Sequence, residues 1–154
     1  MAEDLRPFGD PGSEDFRVGV YPFYLLNRAV SRYNVVIEAE LRGIGLDIPS
    51  WRVLMILAEV EPQPIAQVAK SAVINISTMM RIVERMQKAG LIGTVPSTSD
   101  GRVTELVLTP LGKEKIVAAR RVTAPFYHRL IKGFSASDFN RLLDLLNRLH
   151  DNLE

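Results

Sequence analysis

The amino-acid sequence predicts a mainly α-helical fold that carries one small β-hairpin. Three observations lead there. Apolar residues recur at intervals of three and four along most of the chain, the spacing of helices that bury one face. Most of the prolines and glycines fall between these stretches rather than inside them. Only around residues 91–108 does the pattern change, to short β-branched runs on either side of a polar turn.

The elements follow in order. Residues 1–19 hold Pro7, Gly9, Pro11, Gly12 and Gly19 among acidic side chains, and they are expected to form a flexible arm. From Tyr21 to about Leu46, Leu25, Leu26, Ala29, Val30, Tyr33, Val36, Ile37 and Leu41 make a wide apolar helical face. The run Gly43 to Pro49 ends that helix, and Ser50 is expected to cap a second, in which Trp51, Leu54, Leu57 and Ala58 share a side. Pro62 and Pro64 break the second helix. A short third one is expected over roughly Ile65 to Ser71, with Ile65, Val68 and Ala69 inward. Asn75 is expected to cap a fourth helix that reaches Lys88 or Ala89, and Gly90 closes it where a left-handed C-cap usually sits.

The hairpin comes next: Leu91 to Val95, a turn over Pro96 to Gly101, then Arg102 to Leu108. Thr109 caps the following helix and Pro110 takes its first position, where a missing N–H costs nothing. That helix is expected to run to about Arg121 and to continue, bent at Pro125, through Leu130. Ser135 to Asp138 offers a capping-box-like start to a last helix. There Phe139, Leu142, Leu143, Leu146, Leu149 and Leu153 form a stripe with more apolar surface than a lone terminal helix buries in its own domain.

This order describes a winged helix-turn-helix, in which the second helix of the turn motif lies in the DNA major groove and the hairpin reaches along the backbone. The helix over 75–89 fits that role. At about 100° per residue, Met79, Ile82, Val83 and Met86 fall on one side. Ser77, Arg81, Glu84 and Lys88, with Thr78 and Arg85 further round, fall on the other.

Composition narrows the function. With 154 residues and 17.2 kDa, a large multidomain enzyme is ruled out. The absence of cysteine excludes disulfides, thiolate metal ligands, a cysteine nucleophile and a thiol redox sensor. His128 and His150 are the only imidazoles, so no metal site is expected, and no cofactor is implied. There is no Gly-rich phosphate loop, no Gly-x-Ser-x-Gly elbow and no two-histidine helix signature, so the chain is not expected to be an enzyme. Without a signal-like N-terminus or a run of about 18 apolar residues, it reads as cytoplasmic, with no membrane partner.

The net charge of +1 looks at first like evidence against a polyanionic partner. By region it is not. Residues 1–64 hold 6 basic and 10 acidic side chains, residues 65–124 hold 9 and 4, and residues 125–154 hold 4 and 4. The winged segment is the basic one.

The run Ser77-Thr78-Met79-Met80-Arg81-Ile82-Val83-Glu84-Arg85-Met86-Gln87-Lys88-Ala89-Gly90-Leu91-Ile92 resembles the recognition helix of the MarR family of bacterial regulators. Asp100-Gly101-Arg102, a strand ending Leu108-Thr109, and Gly112 resemble that family's wing, and Ser50 to Leu54 resembles its second helix. The similarity in organisation covers about Tyr21 to Leu153. It implies a winged helix-turn-helix at about 48–109 within a domain over 20–154, and dimerisation helices at about 20–46 and 110–154. It also implies a homodimer on a pseudopalindromic double-stranded DNA operator, most simply as a repressor.

Residue by residue, the resemblance makes Ser77, Thr78 and Arg81 the major-groove contacts. It makes Arg102 the wing-tip arginine that enters the minor groove, and Asp100 the acid that orients it. Gln67, Lys70 and Arg85 are expected as backbone contacts. Two positions depart from the family's pattern: Gly93-Thr94 follows the helix where arginine is frequent, and Gly101 stands where a second wing arginine is common. Phosphate neutralisation dominates affinity, so this wing is expected to bind DNA more weakly than a basic one.

Family members usually release DNA when a small, often aromatic anion binds between the dimer-forming helices and the winged lobe. Tyr24 and Arg28, four apart on the first helix, and Trp51 on the second are the expected effector-binding residues, an aromatic wall with one guanidinium. The thinned wing charge keeps a second reading open, a winged-helix protein-interaction module without sequence-specific DNA binding.

Overall fold

The computed structural model describes residues 3–154. Its elements are α1 (Arg6–Gly9), α2 (Pro22–Arg42), α3 (Ile48–Glu59), β1 (Gln63–Pro64), α4 (Ile65–Ala72), α5 (Ile76–Lys88), β2 (Ile92–Pro96), β3 (Thr104–Leu108), α6 (Pro110–Leu130) and α7 (Ala136–Asp151), with a 3₁₀ turn at Val18–Val20. The winged helix-turn-helix order is present. The short helices α3, α4 and α5 pack on one another, and β2 and β3 form the antiparallel wing.

The local signals act as expected at most helix ends. Asn75 accepts from the Thr78 N–H, Thr109 from the Gly112 N–H, and Ser135 shares a reciprocal capping box with Asp138. Gly90 closes α5 with φ +73°, and Pro125 is accommodated inside α6. Two expectations are corrected. Asp47, not Ser50, caps α3: its carboxylate accepts from the Ser50 N–H at 2.8 Å, so the helix starts before Pro49, which sits in the first turn. Gln63–Pro64 is a short strand on the far side of β3, pairing Gln63 with Leu106 and giving the sheet order β1-β3-β2. The N-terminal arm contains a helical turn at α1, and its Arg17 guanidinium lies over the Phe8 ring at 4.2 Å.

The core joins Ile37 and Leu41 of α2 to Val53, Leu54 and Leu57 of α3, the inner faces of α4 and α5, Leu106 of β3, and Ile116 and Ala119 of α6. It lies under the winged lobe. Outside it the pattern changes, because α7 has no buried residue, and Val30 of α2 is exposed although it continues the stripe that holds Ile37 and Leu41. Among the described residues no helix is long and apolar enough to cross a membrane.

Gly112 shows why the turn into α6 excludes a side chain. A Cβ there would sit 2.1 Å from the Leu91 carbonyl oxygen, which is backbone and cannot swing aside. That close approach welds the start of α6 to the end of α5. Thr109 supports it by donating its hydroxyl to the Gly90 carbonyl at 2.6 Å, with the Leu91 carbonyl 3.0 Å away.

Candidate nucleic-acid interface and effector cavity

Helix α5 is held from three directions. Its inner residues Met79, Ile82, Val83 and Met86 are buried. The side-chain oxygen of Asn75 accepts both the Thr78 N–H and the Ser77 hydroxyl, each at 2.8 Å, which fixes the first turn and leaves the Ser77 lone pairs facing outward. On the exposed side, Lys88 donates to Glu84 at 2.7 Å, and this hydrogen bond holds the Glu84 carboxyl below its usual range. With Glu84 engaged, Arg81 has no ion-pair partner among the described residues. The outward face therefore offers hydroxyls at Ser77 and Thr78 and a free guanidinium at Arg81.

Arg85, expected as a backbone contact, has a partner within the chain. Its guanidinium donates to the Asp47 carboxylate at 2.6 Å, and the Ser50 hydroxyl is 3.4 Å away. It thus ties α5 to the N-terminus of α3. Gln67 and Lys70 lie exposed on α4, beside the same lobe.

At the wing tip Arg102 is exposed between β2 and β3. Asp100 does not grip its guanidinium: the carboxylate accepts from the Arg102 backbone N–H at 3.0 Å, while the Asp100 carbonyl accepts from Val103 N–H at 2.9 Å. The acid shapes the turn that presents the arginine, because a short side chain two residues away reaches the backbone more readily than the end of a long one. Gly101 faces open space.

The residues expected around an effector are not all brought together. Tyr24 and Arg28 lie on an exposed face of α2 and line none of the described cavities, because their helical phase points away from α3. Trp51 does line one, of about 310 Å³, together with Tyr33, Ile37, Arg120, Phe126 and Tyr127. It also borders a second of about 660 Å³, where Tyr33 meets Arg52, Met55 and Val73. The Tyr33 and Phe126 rings are 5.6 Å apart. Burial raises the Tyr33 pKa, opposed by the charge of Arg52, so its phenol remains a neutral donor. The Trp51 indole N–H is buried without an acceptor among the described residues. Tyr33 belongs to the apolar stripe that the sequence predicts for α2, whereas no sequence signal marks Arg120, which arrives from a helix far along the chain.

The winged lobe matches the family model described as MarR family over residues 46–104. Along nearly its whole length the chain resembles the HTH-type transcriptional repressor IacR of Pseudomonas putida, with 39% identity covering 94% of this chain and 87% of that one. In fold it is similar to a mutant MarR from E. coli complexed with operator DNA, at TM-score 0.76 and 15% identity over 84% of this chain and 94% of that one. It is likewise similar to BpsR of Bordetella bronchiseptica, described for regulation of its DNA binding by 6-hydroxynicotinic acid, at TM-score 0.78 and 19% identity over 88% and 97% of the two chains. With its winged lobe, its free recognition-helix face and this identity to a repressor, the chain belongs to the MarR family of transcriptional regulators, DNA-binding proteins that are not enzymes.

Proposed function

We propose that the protein is a homodimeric repressor that occupies an inverted-repeat operator in the cytoplasm and leaves it when a small aromatic acid binds. The observation that carries the DNA reading is the outward face of α5, where Ser77, Thr78 and an unpaired Arg81 stand free while the apolar face is buried. Arg102 at the wing tip adds a minor-groove or phosphate contact, and Gln67 and Lys70 add backbone contacts. The MarR neighbour complexed with operator DNA supports this use of the fold.

The dimer is supported by apolar surface too extensive for a solitary chain. Phe23, Leu25 and Val30 of α2, Leu130 of α6, and Leu142, Leu143 and Leu146 of α7 are all exposed. A second copy covering these helices removes that surface from water and sets two winged lobes at the separation of successive major grooves.

For the effector, the cavity at Trp51 supplies aromatic walls, an indole N–H lacking an acceptor, and the Arg120 guanidinium. Such a site suits a planar ring bearing a carboxylate. The BpsR neighbour, whose DNA binding is regulated by 6-hydroxynicotinic acid, supports that class.

Selection from a randomised duplex library tests the reading. Enrichment of an inverted repeat is expected, with loss of binding in Arg81→Ala. Failure to enrich any repeat would sink it and favour the protein-interaction module.

A further inference from the structure

Two large apolar side chains stand on the exposed side of α5, where a surface helix ordinarily carries polar groups. Ile76 is 51% exposed and Met80 is 52% exposed. They are four residues apart, so they share a face, and that face adjoins the one carrying Ser77 and Arg81. Neither contributes to the core cluster. Met80 borders a crevice between α5 and the wing whose walls include Ile65, Thr94 and Thr104, and beside it Arg81 and Glu84 reach solvent. In water this apolar pair is a cost without a return in the isolated chain.

The major groove offers one apolar group at the base edges, the C5-methyl of thymine. We propose that Ile76 and Met80 are specificity-determining residues that pack on thymine methyl groups flanking the base or phosphate reached by Arg81. The inference rests on the DNA reading above and extends it, because the polar residues of α5 do not by themselves select thymine. Burying one methyl contributes about 0.8 kcal/mol, which corresponds to about fourfold in affinity.

The test uses the full-length protein and the operator it selects. Each thymine is replaced in turn by deoxyuridine, which removes the methyl and keeps the pairing, and affinity is read by fluorescence anisotropy. One or two positions in each half-site are expected to lose about fourfold. That loss is expected to disappear in Met80→Gln at one position and in Ile76→Ser at the other. Both side chains are exposed, so neither variant should unfold, and a melting curve verifies this. Deoxyuridine tolerated at every position, or equal losses in wild type and variants, overturns the proposal while leaving the DNA reading intact. Failure to select any operator overturns both.

Discussion

Arg85 and Asp47, 38 positions apart, meet at 2.6 Å, and the same carboxylate that receives the Arg85 guanidinium also caps helix α3. One acid therefore sets both the start of α3 and the seat of α5. Because the pair is solvent-exposed, its own contribution to stability is within about 1 kcal/mol. Its effect is on where the recognition helix sits. Arg85→Ala is expected to shift the unfolding free energy by less than about 1 kcal/mol and to leave the salt dependence of DNA binding unchanged. Lys70→Ala, as the loss of a phosphate contact, is expected to weaken the log–log salt slope by about 1. A titration series at several salt concentrations compares the two, and an equal fall in slope for Arg85→Ala would show that it contacts phosphate after all.

Gly112 admits no side chain, since its added Cβ would lie 2.1 Å from the Leu91 oxygen. Gly112→Ala is expected to destabilise the fold by about 3 kcal/mol, the upper end of ordinary overpacking, as the start of α6 is pushed off the end of α5. Chemical denaturation measures this directly. A loss under about 1 kcal/mol would mean that the α5–α6 junction can yield.

Three helices close with the same paired hydrogen bonds. Gly45 and Leu46 cap α2, Val73 and Ile74 cap α4, and Gly90 and Leu91 cap α5. The left-handed position is glycine twice, with φ +75° and +73°, but at α4 it is Val73 with φ 56°. A β-branched residue there is strained by about 1–2 kcal/mol, and at 90% exposure Val73 recovers little through packing. Val73→Gly is expected to stabilise by about 1 kcal/mol after the entropy cost of glycine. That is a rise of about 2–4 °C in Tm. A lower Tm would show that Val73 is held by contacts outside the single chain.

Gly101 at the wing tip has no heavy atom within 4 Å of an added Cβ and no left-handed φ. Gly101→Arg is therefore expected to leave the fold intact, tighten operator binding several-fold at low salt and steepen the log–log salt slope by about 1. An unchanged slope would place the wing tip away from the phosphates.

Most of the architecture is written locally in the chain. The three-and-four spacing of apolar residues sets each helix, and the caps at Asn75, Thr109-Pro110 and Ser135-Asp138 act within three or four residues of themselves, so they operate before any tertiary contact exists. The period change at residues 91–108 marks the wing for the same reason, and the reading face of α5 follows from helical phase alone. Other features depend on residues distant in sequence meeting. Asp47 displaces Ser50 as a cap and captures Arg85, Gln63 becomes a strand because Leu106 lies beside it, and Tyr33, Trp51 and Arg120 surround a cavity that Tyr24 and Arg28 do not reach. Periodicity states that a face is apolar, as on α2 and α7, but what covers it is chosen by packing: α2 gives Ile37 and Leu41 to its own core, while the leucines of α7 stay exposed on the single chain.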